Sequence, residues 1–380
     1  MNDMTNTRAK SPLLDHCPPS LSASWYVDQA QFNTERKKIH ANTWIYVGRV
    51  RAVEPMSMHR VSVAGENLIL LKNANGEISC FHNVCRHRGA ELCTANELRL
   101  KSKLIVCPYH EWAYDLQGQL VRTPYATPTP DFVRADHGLL KVHTKLWNGF
   151  VFVCLAETPP DFEAAPDMGP HALDNWPLAD LVVGHVLVEE MACNWKIFWE
   201  NYNECLHCPG IHPELCDMVP VYKQGIMSRH EVQEGQLSPS SESDLKPGAQ
   251  TWSVDGQLCG PEFPNLTAEE RARGHTFVTL WPTMYVVAHR DYVRAVSLRP
   301  LSAERTELRT EWLFAPETLN EPGFDLDNVT RFASLVMRQD AAACELNQRG
   351  LRSTAFKGGR LMPQEFDVYR FQQWVRKYLA

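Results

Sequence analysis

The chain has 380 residues, 44% of them hydrophobic and 22% charged, a composition ordinary for a soluble globular protein and long enough for two domains. Its net charge of −7 comes without a basic run, which excludes nucleic acid and an anionic membrane surface as partners. Residues 1–22 carry Arg8 and Lys10 but no apolar core for a signal peptide, and the longest apolar run, near Phe150 to Ala156, is far too short for a bilayer, so a cytoplasmic location is expected.

In chain order, residues 1–20 read as a polar arm. From Trp25 to Arg49 the apolar residues fall at three- and four-residue steps and predict a helix ending near Tyr46-Val47-Gly48. Residues 50–155 read as short strands: Val61 and Val63 alternate with polar residues, and Leu68-Ile69-Leu70-Leu71 and Ile78-Ser79-Cys80-Phe81 flank the tight-turn pair Asn75-Gly76. Pro159, Pro160, Pro166 and Pro170 mark a domain boundary. Beyond it, Leu181 to Met191 is strand-like, and residues 229–275 form an irregular region suited to a lid. From Thr276 to Phe314 alternation predicts three or four antiparallel strands. Asn328 to Arg352 is helical with Asp327 as its N-cap, and a last helix covers about Pro363 to Leu379.

Two stretches carry chemistry. The first holds Cys85-Arg86-His87 and, after nineteen residues (88 to 106), Cys107-Pro108-Tyr109-His110. Zinc accepts two Cys and two His, but its fingers separate the Cys pair from the His pair. Here each loop supplies one of each, which suits a two-iron, two-sulfide cluster with both Cys on one iron and both His on the other. The second runs from Asn194 to His212. Helical spacing places Glu200, Glu204 and His207 on one face, with Pro209-Gly210 ending the helix and His212 returning from a turn. Two imidazoles with one carboxylate form the ligand set of non-haem Fe(II) oxygenases. Among carboxylates on the later helix, Asp340 shares the apolar stripe of Phe332 and Val336, whereas Glu345 is rotated off it; Asp340 is the candidate ligand, or else a buried acid paired with Arg349. Of the twelve cysteines, two go to the cluster, and Cys93, Cys154, Cys193, Cys205, Cys208, Cys216 and Cys344 are expected as free thiols.

Cys85, His87, Cys107 and His110, with Arg-Gly after the first His and Pro-Tyr inside the second pair, resemble the Rieske iron–sulfur proteins. With Asn194-Trp195-Lys196, the Glu204–His207–His212 run, Gln339-Asp340 and Gln348-Arg349-Gly350-Leu351, residues 25–375 resemble the catalytic α subunit of Rieske non-haem iron oxygenases. The resemblance implies an α+β chain: residues 1–44 an N-terminal arm and helix packing on the catalytic domain, 45–158 an all-β Rieske domain, and 159–380 a helix-grip catalytic domain. It implies a homotrimer in which the cluster of one subunit faces the mononuclear iron of the next. Glu204 would then bridge His110 of one chain and His207 of another, and Asn201 is a candidate to line the same site. Glu204 stands where aromatic-ring dioxygenases usually have Asp, and Glu111 where they commonly have Gly. Cys205 to Cys208 and the strands around His289-Arg290-Asp291-Tyr292-Val293-Arg294 and Leu298-Arg299-Pro300-Leu301 look more like the branch that oxidises choline, glycine betaine, proline betaine and carnitine.

A quaternary ammonium ion cannot donate a hydrogen bond, so aromatic faces must hold it; Trp199, Tyr202, Phe277, Trp281 and Tyr285 are candidates, and His289, Arg290 or Arg294 for a substrate carboxylate. The resemblance implies hydroxylation of an N-methyl group, with loss of formaldehyde, using O2. The chain has neither a G-x-G-x-x-G turn nor a plant-ferredoxin cysteine run, so NAD(P)H and flavin belong to a separate reductase. An aromatic-ring or O-demethylating oxygenase and a simple Rieske electron carrier are the alternatives.

Overall fold

The computed structural model describes residues 13–162, 171–227 and 244–380. Residues 1–12 of the expected arm, Pro166 and Pro170 of the expected boundary, and residues 229–243 of the expected lid lie outside the described residues. The described chain divides into two compact units. Residues 34–162 with Leu178–Asp180 form one; the segment up to Asn33, the residues leading to Pro177, and Leu181–Ala380 form the other. The architecture is α+β, an all-β unit and a unit of helices on an antiparallel sheet.

Helices α1 (Ser24–Val27) and α2 (Gln29–Glu35) open the chain, and helical turns continue only to His40. The predicted extension to Arg49 is not helical: Ile45–Arg49 is strand β1, paired with Phe150–Val153. Its β-branched and aromatic residues fit a ladder, and that pairing overrides the local three-to-four spacing.

In the first unit, β2 (Ser57–Val63), β3 (Glu66–Lys72), β4 (Ile78–His82), β5 (Glu97–Arg99), β9 (Lys141–Trp147) and β10 (Phe150–Cys154) join β1 in a seven-stranded sheet, ordered β1-β10-β9-β4-β3-β2-β5. Between β5 and β9 the chain makes a separate three-stranded sheet of β6 (Ile105–Val106), β7 (Ala113–Tyr114) and β8 (Leu120–Arg122). The β3 run is apolar at successive positions because both faces are covered: Leu68 and Leu70 enter one cluster with Val151 and Val153, while Ile69 and Leu71 enter another with Phe81, Cys85 and Cys107. That second cluster forms the floor beneath both cysteine loops. The Asn75-Gly76 turn joins β3 to β4 with Gly76 at φ 85°.

In the second unit, β11 (Val182–Met191), β12 (His275–Leu280), β13 (Met284–His289), β14 (Tyr292–Ser302) and β15 (Arg305–Phe314) form an antiparallel sheet ordered β11-β15-β14-β13-β12. The helices are α3 (Trp195–Tyr202), α4 (Cys208–Ile211), α5 (Pro213–Met218), α6 (Ala268–Arg273), α7 (Leu326–Leu351) and α8 (Phe366–Leu379). Register aligns Phe277, Val287, Arg294 and Trp312 across the sheet, and Thr279, Tyr285, Val296 and Thr310 beside them. This face receives α7, where Val329 and Ala333 pack with Tyr292, Trp312 and Phe314, and the end of α3, where Tyr202 stacks on Tyr285. The predicted cap of α7 is displaced: Asp325, not Asp327, accepts the Asn328 N–H, so the helix begins at Leu326.

Asn194 fixes the start of α3. Its side-chain oxygen caps the Lys196 N–H at 3.0 Å, and its amide donates to Tyr26 O at 3.2 Å and Ala303 O at 2.6 Å. Asn194→Ala removes the cap and the donor to Ala303 O, and leaves Tyr26 O with Gln348 Nε2 at 3.4 Å, a loss of about 2 kcal/mol. Thermal unfolding is expected to show a midpoint several degrees lower, with Asn194→Asp, which keeps only the cap, in between.

Candidate functional site

The first loop is built by short-range hydrogen bonds. Cys85 N–H donates to Ala90 O at 2.8 Å and Gly89 N–H to Cys85 O at 3.0 Å, closing a turn around His87. Asn83 fastens its base: its oxygen accepts the Leu92 and Cys93 N–H groups at 3.0 and 2.8 Å, and its amide donates to Cys93 O at 2.9 Å. The second loop joins β6 to β7, where Cys107 N–H donates to Trp112 O at 2.9 Å and Glu111 N–H to Cys107 O at 3.1 Å. Glu111 sits at φ 57°, in the left-handed region that favours glycine, so the commoner glycine has a backbone reason.

These loops place the four predicted side chains in two layers. Cys85 and Cys107 are buried, 3% and 1% exposed, whereas His87 is exposed and His110 half-buried, their rings 4.7 Å apart. His87 stacks on Trp112 at 4.6 Å. Tyr114 Oη accepts the Arg86 N–H at 3.0 Å and lies 3.2 Å from Cys85 Sγ, so its own proton is free for the sulfur. Burial raises the Cys85 pKa; hydrogen bonds from Tyr114 and the His87 backbone pull it down, and Cys107 nearby pushes it up. An inner sulfur pair beneath an outer imidazole pair is the donor set of a cluster with one buried and one outward-facing iron.

The second site departs from the single helix expected. α3 stops at Tyr202, and Asn203 N–H returns to Trp199 O and Glu200 O. Glu204 and His207 lie beyond the helix, and Pro209 stands at the start of α4 instead of ending α3. Proline has no backbone N–H, a lack that costs nothing in the first turn of a helix, which makes it a starter there. Cys205 and Cys208, expected as free thiols, are joined as a disulfide; the C-x-x-C spacing that brings their Cα atoms to 4.9 Å was the available signal. Glu200 does not join Glu204 and His207: it is half-buried and accepts hydrogen bonds from Tyr26 Oη at 2.7 Å and Gln372 Nε2 at 3.0 Å. Burial raises its pKa to about 7.

His207, His212 and Asp340 nevertheless converge, one ligating atom from each lying within 4.8 Å of the others. Asp340 Oδ1 is 2.9 Å from His212 Nε2 and 3.4 Å from His207 Nε2. The other ring nitrogens are held from behind. His207 Nδ1 donates to Glu204 Oε1 at 2.6 Å, and His212 Nδ1 to Gln339 Oε1 at 2.8 Å, with the Gln339 amide anchored on Glu214 at 3.0 Å. Both imidazoles thus turn Nε2 inward. Glu204 is itself fastened by the Leu206 N–H, and Asn201 Nδ2 lies 3.3 Å from His207 Nε2. Glu345 accepts the Ala192 N–H at 2.9 Å, away from the triad. Sequence reasoning gave Gln339 no role; only its place before Asp340 hinted at one.

The electrostatics favour a cation at the centre. Burial opposes charge on His207, yet hydrogen bonds to Asp340 and Glu204 raise its pKa to about 9, and Asp340 raises His212 against the same penalty. Burial would raise Asp340, but hydrogen bonds from the two imidazoles hold it below the usual carboxylate range. The acids that raise both imidazoles put negative potential at the inner Nε2 atoms, which suits a divalent metal taking the place of the protons.

Of the aromatic candidates, Tyr202 and Tyr285 stack at 4.1 Å beside this site, with Thr279 near Tyr202 Oη. Burial raises the Tyr285 hydroxyl to about 12, while Arg294 pulls it down and Asp340 pushes it up, so the ring is in electrostatic reach of both charges. Trp199 is fully buried with its Nε1 on Pro282 O at 2.9 Å, and Trp281 packs with Phe371 and Trp374 of α8. His289 is buried against Trp252 and Tyr292. No helix among the described residues is long and apolar enough to cross a membrane.

Residues 178–380 match the family described as the ring hydroxylating alpha subunit (catalytic domain), and residues 43–134 the Rieske [2Fe-2S] domain. The chain is similar to the glycine betaine monooxygenase oxygenase subunit of Pseudomonas aeruginosa, with 27% identity covering 93% of this chain and 88% of that one. It is similar to the carnitine monooxygenase oxygenase subunit of Acinetobacter pittii, with 28% identity over 89% and 87% of the two chains. In fold it resembles the crystal structure of the quaternary ammonium Rieske monooxygenase CntA, with a TM-score of 0.71, 23% identity and 97% of each chain covered.

Tyr114→Phe removes one hydrogen bond to a ligand sulfur, worth about 1 kcal/mol, so the cluster potential is expected to fall by about 40 mV for one electron. A redox titration followed by visible absorbance measures it; an unchanged potential contradicts the hydrogen bond.

Proposed function

The chain belongs to the ring-hydroxylating α-subunit family, and from that premise we propose that it hydroxylates an N-methyl carbon of a quaternary ammonium, betaine-type substrate. It is a Rieske-type non-haem iron monooxygenase subunit, with a [2Fe–2S] cluster and a mononuclear iron as cofactors. Cys85, Cys107, His87 and His110 would hold the cluster, and His207, His212 and Asp340 the iron. When bound, these centres supply one-electron transfer and O2-dependent oxidation, respectively.

The protein's own groups set the rest. Glu204 holds the His207 Nδ1 proton, which fixes the tautomer that offers Nε2 to metal. In a homotrimer the same carboxylate would also accept the His110 N–H of a neighbouring subunit and so couple the protonation of both imidazoles to electron transfer. Tyr202 and Tyr285, whose rings stack on each other at 4.1 Å with Tyr285 in electrostatic reach of Asp340, are the observation that carries the substrate reading: aromatic rings meet a trimethylammonium group without asking it for a hydrogen bond. The glycine betaine and carnitine relatives support it.

The chemistry balances as follows. One oxygen atom of O2 enters the N-methyl C–H bond. The other leaves as water, with two protons and with two electrons from a separate NAD(P)H reductase of flavin and ferredoxin type. The resulting N-hydroxymethyl cation loses a proton and breaks its C–N bond, giving formaldehyde and the demethylated amine.

With an active reductase, the enzyme is expected to release formaldehyde from glycine betaine or carnitine and to leave benzoates unchanged; the opposite pattern overturns the reading in favour of an aromatic substrate. Glu204→Gln is expected to retain its iron while turnover falls roughly 10- to 100-fold. Unchanged turnover would remove the bridging role.

A further inference from the structure

Arg294 stands on β14 in register with Val287 and Trp312, on the sheet face that also carries Tyr285, Phe277 and His289. The residue is 5% exposed. Other charges nearby are accounted for. Arg290 and Arg271 share Glu262, and Asp291 accepts hydrogen bonds from Thr251 Oγ1 at 2.7 Å and Cys259 N–H at 2.6 Å. Arg294 has no carboxylate and no hydrogen-bond acceptor among the described residues, and its Nε is sealed from water without a partner.

Its neighbours offer a ring face but no anion. Its Cζ lies 6.0 Å from the Trp252 ring, whose Nε1 also lacks a partner. Trp252 in turn contacts His275 and His289, at 4.9 and 5.2 Å. Burial drives both imidazoles toward the neutral form, and neither ring nitrogen of His289 is paired. The result is a buried cation among donors with no anion. An uncompensated buried charge is strongly destabilising, so such an arrangement calls for a ligand that brings the missing charge. Tyr202 and Tyr285, stacked on each other at 4.1 Å and both in electrostatic reach of Arg294, supply aromatic rings for a cation.

We propose that Arg294 is the anion subsite of the substrate pocket: it pairs with the carboxylate of a zwitterionic quaternary ammonium substrate whose methylated end lies on Tyr202 and Tyr285. The proposal rests on the quaternary ammonium reading above and deepens it. It makes the substrate a betaine with its own carboxylate, and neutral-tailed cations such as choline poor ligands. Arg290, the other arginine among the sequence candidates, is already neutralised by Glu262.

Equilibrium binding to the iron-loaded enzyme tests it with matched pairs: glycine betaine and carnitine, each against its primary amide, and 3,3-dimethylbutyrate against its amide. Wild type is expected to prefer each carboxylate to its amide. In Arg294→Met that preference is expected to shrink by roughly 30-fold or more, with Arg294→Lys retaining part of it. Loss of affinity by the same factor for acid and amide would make Arg294 a packing residue and overturn the subsite. Should Arg294→Met fail to fold, wild type alone decides, since equal binding of acid and amide also overturns it. The two readings fail separately. If wild type releases no formaldehyde from any N-methyl compound yet still prefers 3,3-dimethylbutyrate to its amide, the substrate class falls and the anion subsite stands.

Discussion

One carboxylate shared by two imidazoles sets the constraint on which the catalytic unit depends. Asp340 lies within hydrogen-bonding distance of His212 and close to His207, with only a fifth of its side chain exposed. The positive charge at the centre of this trio comes either from imidazole protons or from a metal that displaces them. The neighbouring elements reinforce that arrangement. Glu204 and Gln339 hold the outer ring nitrogens, so the inner ones stay available. Asn194 anchors α3, and α7 carries Asp340 across the inner face of the sheet. The site is therefore precise because its supports are backbone-anchored, not because the ligands are close in sequence.

The cluster loops solve a different problem. Their ligands hang from irregular backbone, which is ordered by Asn83, by closed turns and by the apolar floor containing Ile69, Leu71 and Phe81. Sulfur lies inside and imidazole outside. With a cluster bound, that polarity would turn its imidazole edge outward for electron transfer and would leave Tyr114 as an internal group able to tune the potential.

Much of this was legible in the residues. Ligand chemistry is written in short motifs, and β-alternation is strong in strands such as Met284–His289, so the two-unit α+β plan and the convergence of His207, His212 and Asp340 could be reasoned before any coordinates. What failed was local. Tyr46 to Gly48 followed helical spacing but pairs with β10, a partner a hundred residues away. Pro209 starts α4 instead of ending α3, and α3 stops earlier, at Tyr202, so Glu204 and His207 lie off it. The partnering of Cys205 with Cys208, the isolation of Arg294 and the pairing of Arg290 depend on geometry that no spacing rule encodes.

The measurement that bears most directly on the central claim is the iron content of Asp340→Ala, read with the visible spectrum of the cluster. Wild type is expected to hold about three irons per chain, and the variant about two with an unaltered cluster spectrum. A variant that keeps all its iron, or that loses the cluster spectrum along with it, would contradict the assignment of Asp340 to a separate mononuclear centre.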